Sequence, residues 1–451
     1  MNNERDTEVK NGSFFVQSAS TFATQIVLMV ISIVGGVIVA RVLGPELKGK
    51  ATLIELLAQT VFMVCSLGLG AAFSYSIARA NDGRSQIISA AIVIGTFLWC
   101  VGMVFFWFSW ELHRSIWIGI ETKFLVAASL LSLCYILTNY GSRILIGLGR
   151  IDQVNVGALA KSLVNISVIV FAVWLFDFGL AGLVIALLVS SVVHIMSVGW
   201  FLRDNLRFES FWSADFISRT AAYGLKSYAL LLINFLNYRL DLILLKYFDG
   251  DQAVGIYSLA VGMAELMWLA PNAAVAPLFS SVAKSDADNR SERTLQTTRF
   301  SLFLLLILSS LAVVVGPYAI NLLYGKEFEG SYFAFVSLLP GVCLFPIFKL
   351  LTVDLAARGR PGIGTIASAL ALVINIIANC YLIPKFGFVG AALATSLSYI
   401  CMSAVVLAYF VRLNDYKLAE ILFVNKSDLS KMLEFSRDCS NRFCDFMRSD
   451  R

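Results

Sequence analysis

Long apolar stretches, separated by short polar segments, follow one another along almost the whole 451-residue chain. A helix needs about 20 mostly apolar residues to cross the hydrocarbon core of a bilayer, so each stretch predicts one membrane-spanning helix. The pattern therefore predicts an all-α polytopic membrane protein with twelve spans. These spans cover residues 14–40, 50–78, 86–110, 124–148, 153–176, 178–202, 220–246, 253–282, 300–321, 332–357, 362–384 and 386–411.

The last six stretches repeat short sequence patterns of the first six, 206 to 210 residues later. The matches are Gly44, Gly49 and Leu53 with Gly250, Gly255 and Leu259; Gly149, Arg150 and Asn165 with Gly359, Arg360 and Asn375; and residues 177–186 with 385–394. Their common order and offset indicate a duplicated six-helix unit. Because each unit has an even number of spans, both run in the same direction, as in parallel-repeat transporters whose substrate path lies between the repeats.

Lys and Arg residues in the loops predict the orientation, because cytoplasmic loops carry an excess of them. With the N-terminus in the cytoplasm, the inside segments before the C-terminal tail hold 16 such residues and the outside loops hold 8. Both termini are therefore predicted to be cytoplasmic. The predicted divisions are an N-terminal tail (1–13), an N-lobe (14–202), a cytoplasmic linker (203–219), a C-lobe (220–411) and a cytoplasmic tail (412–451).

The C-terminal tail is the only extended polar stretch. Ser427 and Asp428 are candidate caps of a helix with a partly apolar side. We expect this amphipathic helix to lie along the inner membrane surface, and a docking site for a partner is the alternative.

Composition narrows the class of protein further. The chain is 58% hydrophobic and 14% charged, whereas soluble domains carry about 25% charged residues. The net charge of +5 is spread over many loops and does not indicate binding to nucleic acid. The eight cysteines show no Cys-x-x-Cys spacing and there are two histidines, so no metal site is predicted. The sequence also lacks a phosphate-binding loop, and no cofactor is expected.

Short glycine motifs at the ends of the spans carry a family resemblance. They are residues 40–46 with Gly49, residues 67–70, residues 254–258, residues 178–182 and residues 386–390. In their order and spacing the chain resembles the polysaccharide (O-antigen, Wzx-type) flippases, a branch of the superfamily that also holds multidrug and toxic-compound extrusion transporters. The motifs themselves predict tight turns and close approach of helices, not contacts to a substrate.

The resemblance implies two six-helix lobes that form a V around a central cavity. It implies a flippase that moves a polyprenyl-pyrophosphate-linked oligosaccharide from the inner to the outer leaflet of a bacterial inner membrane, by alternating access, for surface polysaccharide biosynthesis. The implied partners are this substrate, membrane lipid, and polysaccharide polymerase and chain-length proteins.

Three basic residues lie inside the predicted spans: Lys161, Arg239 and Lys349. A cation at the bilayer centre costs about 3 to 10 kcal/mol, so it is retained only where it is paired or faces water. We predict that the three line a hydrated cationic cavity for the pyrophosphate. The alternative is internal ion pairing, of Lys349 with Asp354 or of Arg239 with a nearby acid. Asp241 cannot be the partner of Arg239, because side chains two positions apart on a regular helix point about 200° away from each other.

Acidic residues also lie inside the spans. Glu55, Asp241 and Glu265 are candidates for ion coupling, or they satisfy neighbouring basic and polar groups. Glu55 and Glu265 are 210 residues apart, whereas the local offset of the repeat is 206, so they are one helical turn away from equivalent positions. Span one has no acidic residue, which disfavours the ion-coupled drug exporters of the superfamily.

Four prolines interrupt spans eight and ten, and the repeat-matched regions of the first half contain none. Pro271 and Pro277 lie in span eight, and Pro340 and Pro346 lie in span ten. Because proline removes a backbone donor and bends a helix, we predict that bending there accompanies the switch between inward and outward openings.

The leading hypothesis is therefore a flippase, and an ion-coupled small-molecule exporter is the alternative. A membrane polymerase or ligase is disfavoured because such an enzyme needs a long outside loop, and no outside loop here exceeds about a dozen residues. The identity of the sugar and the driving force are not predicted.

Overall fold

A computed structural model describes residues 2–80, 83–109, 114–205, 214–284, 287–414 and 416–422. Within these ranges the protein is helical and contains no strand. The helices are α1 (Asn2–Ser66), α2 (Leu69–Arg79), α3 (Arg84–Phe108), α4 (Thr122–Gly147), α5 (Ile151–Val168, continued by a π-helix Ile169–Leu175), α6 (Gly179–Leu202), α7 (Ala214–Met267), α8 (Leu269–Lys284), α9 (Ala287–Leu323), α10 (Gly330–Ala357), α11 (Gly362–Asn414) and α12 (Leu418–Leu422). The predicted helix that begins near Ser427 lies outside the described residues.

Nine helices in the described ranges are long and apolar enough to cross a membrane, so the protein is a multi-pass membrane protein. Three of them, α1, α7 and α11, are broken at Gly44, Gly250 and Gly387. Their apolar parts are 47, 52 and 53 residues long. At 1.5 Å per residue, each is more than twice as long as the bilayer core is thick. Counted as two segments each, the apolar segments number twelve; that all twelve cross the membrane stays a prediction.

Repeat-equivalent glycines have matching backbone conformations. The φ angles, first half then second, are 69° and 86° at Gly44 and Gly250, 75° and 76° at Gly149 and Gly359, and 54° and 56° at Gly179 and Gly387. This left-handed region is open to glycine because it has no Cβ. The predicted turns at Gly44 and Gly250 are therefore confirmed, but they are sharper than expected, since the helix resumes at the next residue instead of passing through a loop.

The helices pack into two units that do not coincide with the two halves of the sequence. The first unit comprises Met1–Gly262, Pro317–Phe335 and Asn375–Ala394, and the second comprises Met263–Gly316, Val336–Ile374 and Thr395–Arg451. The first unit has a core around Val39, Ile169 and Val173. The second unit contains the buried cluster Leu278, Val282 and Leu350. The lobe boundaries predicted from the sequence stay a prediction.

Close helix approach at Gly49 and Gly255 joins the two sequence repeats inside the first unit. A Cβ on Gly49 would lie 1.8 Å from the carbonyl oxygen of Asp251, and a Cβ on Gly255 would lie 1.9 Å from that of Pro45. Lipid gives no hydrophobic force between helices, so such backbone packing by small residues is what holds membrane helices together. The predicted architectural role of these glycines is confirmed.

Two breaks divide predicted spans two and eight. Leu67 and Gly68, with φ of 45° and 67°, separate α1 from α2, where the sequence predicts one continuous span. Trp268 separates α7 from α8, and Pro271 is the third residue of α8. Proline is accepted there because the first helical N–H groups have no intrahelical acceptor. Pro277 lies inside α8.

Helix α10 covers predicted span ten and runs through Pro340 and Pro346 as one helix. A role of the four prolines in switching stays a prediction.

Candidate functional site

A polar cavity of about 250 Å³ lies in the first packing unit, between both parts of α1 and helices α5 and α6. The α1 glycines Gly35 and Gly36 contribute no side chain to its wall; a Cβ on Gly36 would meet no atom within 4 Å. The rest of the lining combines apolar side chains with six polar ones. The polar ones are Ser32, Lys48, Thr52, Glu55, Ser162 and Asn165. We refer to this space as the N-lobe cavity.

Lys48 is the cation on the wall of the N-lobe cavity. Its half-buried side chain donates a hydrogen bond of 2.8 Å from Nζ to Oγ of Ser258, and its charge interacts with that of Glu55. Thr52 also donates to Ser258, at 3.4 Å. Thr52 and Ser258 are repeat-equivalent, so this contact lies beside the crossing of Gly49 with Gly255.

Sequence reasoning missed Lys48 because it placed this residue in an outside loop. The helix resumes at Pro45, which is well suited to the first helical position. Lys48, Thr52 and Glu55 then follow at spacings of four and three, which puts them on one helical face. The Gly-Pro pair followed by this spacing is the signal that identifies the face.

Glu55 interacts with two lysines. Its carboxylate accepts a hydrogen bond of 3.2 Å from the amide of Gln59 and interacts electrostatically with Lys48 and Lys161. One acid with two bases leaves a local excess of one positive charge, if all three are ionised.

Lys161, predicted to line a cavity, is half-buried on α5 next to the lining residue Ser162. Its Nζ lies 5.2 Å from the centre of the Tyr135 ring, a favourable cation–π distance. Lys161 interacts electrostatically with Glu55 but is not itself a lining residue of the cavity, so its role in substrate binding stays a prediction. Asn165, one turn further along α5, accepts a hydrogen bond of 3.4 Å from Ser190.

Arg239 and Asp241 lie on α7 within the first unit, and neither lines the N-lobe cavity. Asp241 is buried and accepts hydrogen bonds from the Tyr257 hydroxyl at 2.5 Å and from the backbone N–H of Leu242 at 2.8 Å. Arg239 is half-buried and interacts with neighbouring groups. An ion-coupling role for Asp241 stays a prediction.

Lys349 and Glu265 belong to the second unit. Lys349 donates to the side-chain oxygen of Asn272 and lies 5.9 Å from the Phe345 ring centre. Asp354 instead pairs with Arg358 at 2.7 Å and accepts from Thr294 at 3.2 Å. The alternative pairing of Lys349 with Asp354 is therefore wrong.

The two predicted acidic counterparts are assigned to different units, Glu55 to the first and Glu265 to the second. The site thus brings together Glu55 and Lys161, adds Lys48, and leaves the other candidates elsewhere. Within the described residues, no group of three His, Cys, Asp or Glu side chains is arranged to hold a metal ion.

Curated relatives match parts of the chain. A probable low-salt glycan biosynthesis flippase, Agl15, from Haloferax volcanii is 26% identical over 164 residues, which is 36% of this chain and 35% of the relative. The probable flippase AglR from the same organism is 34% identical over 167 residues, 35% of each chain. The chain thus spans about a third of the length of these relatives in the matched regions.

Solved structures match nearly the whole fold. The lipid II flippase MurJ, in an inward closed conformation, has a TM-score of 0.73 at 15% identity, over 93% of this chain and 96% of that chain. An inward-facing multidrug resistance MATE family transporter of the MOP superfamily has a TM-score of 0.69 at 17% identity, over 86% and 95%. The fold is therefore that of this superfamily, as the glycine motifs implied.

The model of the polysaccharide biosynthesis protein family matches residues 15–283, more than half of the chain, and this chain belongs to that family.

Proposed function

We propose that this protein is a flippase that moves a polyprenyl-pyrophosphate-linked oligosaccharide from the inner to the outer leaflet, for surface polysaccharide biosynthesis. Membership of the polysaccharide biosynthesis family and the flippase relatives support a transporter of glycan precursors over an enzyme that modifies them. The excess of basic residues in predicted cytoplasmic loops supports an orientation with both termini in the cytoplasm, and the membrane proposed is the bacterial inner membrane. Polymerase and chain-length proteins are the proposed partners.

The observation that carries this proposal is the N-lobe cavity. Sugars and pyrophosphate are too polar to cross hydrocarbon unaided, so a flippase must offer them polar groups within its membrane helices. Lys48, Thr52, Glu55 and Asn165 supply such groups between apolar helices. The net positive charge of Lys48 and Lys161 around Glu55 suits an anionic head, because ammonium groups donate strong hydrogen bonds to phosphate oxygens. Arg239 in the first unit and Lys349 in the second are further half-buried cations, and each remains a candidate for substrate binding.

The test is mass spectrometry of polyprenyl-linked intermediates in cells that lack the gene, with surface polysaccharide scored alongside. We expect the complete lipid-linked oligosaccharide to accumulate and the surface polymer to disappear. Wild-type protein should restore both, whereas Lys48→Ala, Lys161→Ala and Arg239→Ala should not, at equal membrane abundance. Lys123→Ala is the matched control, because that lysine side chain is 62% exposed and far from the cavity in sequence.

The alternative, an ion-coupled small-molecule exporter, predicts a different result. Unchanged intermediates and polymer in the deletion strain would contradict the flippase proposal. A simultaneous gain of sensitivity to toxic compounds would then favour the exporter, which the superfamily fold also supports.

A further inference from the structure

A second, apolar cavity of about 600 Å³ lies in the first packing unit. Its wall is formed by Leu67 and Leu69 at the break between α1 and α2, by residues 93–98 of α3, and by one face of α7 between Ile217 and Leu225. Thr220 is the one lining residue with a polar side chain. We call this space the α3–α7 groove.

The break at Leu67–Gly68 explains why a groove forms here. Gly224 of α7 packs directly on this break: a Cβ on Gly224 would lie 3.0 Å from the carbonyl oxygen of Leu67, and a Cβ on Gly68 would lie 2.7 Å from that of Gly224. The two backbones therefore touch at one point. Beside this point the side chains of α3 do not fill the space, and Phe97 in the groove wall remains 64% exposed.

A cluster of arginines and tyrosines borders the groove. Tyr223, between the lining residues Ala221 and Leu225, stacks on Tyr75 with ring centres 4.9 Å apart and an angle of 20° between the ring planes. The guanidinium carbon of Arg79 lies 4.4 Å from the centre of the Tyr75 ring. Arg219 is four residues before Tyr223, hence on the same face of α7, and both arginines are exposed.

An apolar groove bordered by two exposed arginines has the chemistry of a site for an anionic lipid. The groove excludes polar ligands, since almost nothing in its wall hydrogen-bonds. Arginine binds phosphate oxygens in a two-pronged geometry and keeps its charge under all physiological conditions. Two such groups match two linked phosphates better than the single phosphate of a common anionic phospholipid.

We propose that the α3–α7 groove holds the isoprenoid tail of the lipid-linked substrate, with Arg79 and Arg219 on its pyrophosphate. The inference rests on the proposed function and adds a loading site outside the N-lobe cavity. Both arginines belong to segments with predicted cytoplasmic ends, so the substrate is captured from the inner leaflet before its head enters the protein.

The experiment uses the full-length protein in lipid nanodiscs and a polyprenyl pyrophosphate whose tail carries a diazirine. Illumination is expected to label peptides that contain residues 93–98 and 217–225. Unlabelled polyprenyl pyrophosphate should compete at least tenfold more strongly than phosphatidylglycerol at equal concentration. Phe171 is the internal control, because it is 57% exposed on the same unit but is not part of the groove.

Variants test the arginines separately from the tail. Arg79→Gln combined with Arg219→Gln should lower groove labelling at least tenfold. Arg203→Gln should leave it unchanged, although its guanidinium makes a similar contact, 3.9 Å from the Trp200 ring centre at the end of α6. Because the competition is measured on the wild-type protein, a folding defect of the double variant does not affect the test.

Each result decides the proposal. Equal competition by phosphatidylglycerol, or labelling at Phe171 to the same extent as in the groove, overturns it. Groove labelling that needs both arginines and prefers the pyrophosphate supports it. The cell-based measurement of intermediates is independent: a flippase without groove labelling refutes only the loading site, and groove labelling without a transport defect refutes only the proposed function.

Discussion

The two halves of the chain share their turns but carry buried charges at different positions. In the first half Lys48 and Glu55 line the N-lobe cavity and Lys161 interacts with Glu55; by the offsets of the repeat, the second half has Val254, Val261 and Ala371 at these three positions. Conversely, the second half buries the pair Asp354–Arg358, where the first half has Ile144 and Leu148.

This difference shows that the positions of the glycines and the positions of the charged residues are subject to different constraints. Glycine positions are constrained by backbone geometry and by close helix contacts, so a duplicated unit cannot change them without losing its packing. Charged positions are constrained only by what each half must bind or stabilise. In the first half the buried charges lie at or beside a cavity. In the second half the ion pair holds helix ends together, and Arg358 also donates hydrogen bonds to Asn414 and Ser291.

The largest expected effect comes from breaking the shared architecture. Gly49→Val and Gly255→Val each place a side chain within 2 Å of a backbone oxygen that cannot move aside alone. Overpacking costs about 1 to 3 kcal/mol even where side chains can adjust, and here the backbone must shift. We expect little folded protein in detergent by size-exclusion chromatography. Gly262→Val is the control, since a Cβ there meets nothing within 4 Å; an equal loss in the control would remove the packing argument.

The next effect concerns the buried pair of the second half. Asp354→Ile should lower the free energy of unfolding by about 3 to 5 kcal/mol, because it leaves Arg358 without its carboxylate partner. The double variant Asp354→Ile/Arg358→Leu installs the residues of the first half and should recover most of that loss. Thermal unfolding in detergent measures both. Transport by the double variant should stay near wild type, and its failure would assign the pair a role in transport.

The sequence predicts the turns and the buried charges well, but it does not predict contacts between residues that are far apart in the chain. The turns were visible because glycine and proline mark them locally, and buried charges such as Glu55 and Lys161 stand out within apolar stretches. The break at Leu67–Gly68 was not visible, because it depends on contact with Gly224, far away in the chain. The sequence pattern places Lys48 in a loop, because it does not show that the helix restarts abruptly at Pro45. Lys349 bonds Asn272, a partner 77 residues away in the chain that no local pattern indicates.

A smaller, functional effect should come from the N-lobe cavity. Lys48→Met and Glu55→Gln should each slow transport of a lipid-linked oligosaccharide in proteoliposomes. Because the two charges interact, the double variant should deviate from additivity by about 0.5 to 3 kcal/mol. Lys50→Met is the matched control on the same helix; Lys50 pairs with Glu46 at 2.8 Å and is not part of the cavity lining, so it should transport normally. Additive effects of Lys48 and Glu55 would show that they do not act as one site.

The smallest effect concerns the turn arginines, a charged position at which the halves agree. Arg150 donates at 3.1 Å to the backbone carbonyl of Phe201, and Arg360 donates at 2.8 Å to the hydroxyl of Tyr409, which is the residue equivalent to Phe201. Each arginine ties a turn to the end of a helix later in the chain, α6 for Arg150 and α11 for Arg360. We expect Arg150→Ala and Arg360→Ala each to lower the free energy of unfolding by about 1 kcal/mol.

The acceptors make this last comparison sharper. Tyr409→Phe removes the acceptor of Arg360 and should reproduce the loss caused by Arg360→Ala, whereas Phe201→Leu retains the backbone acceptor of Arg150 and should cost less than Arg150→Ala. Thermal unfolding of the four variants under one condition distinguishes these outcomes. If Tyr409→Phe had no effect while Arg360→Ala did, the arginine would stabilise its turn through another contact. The equivalence of the two turns would then be limited to their backbone.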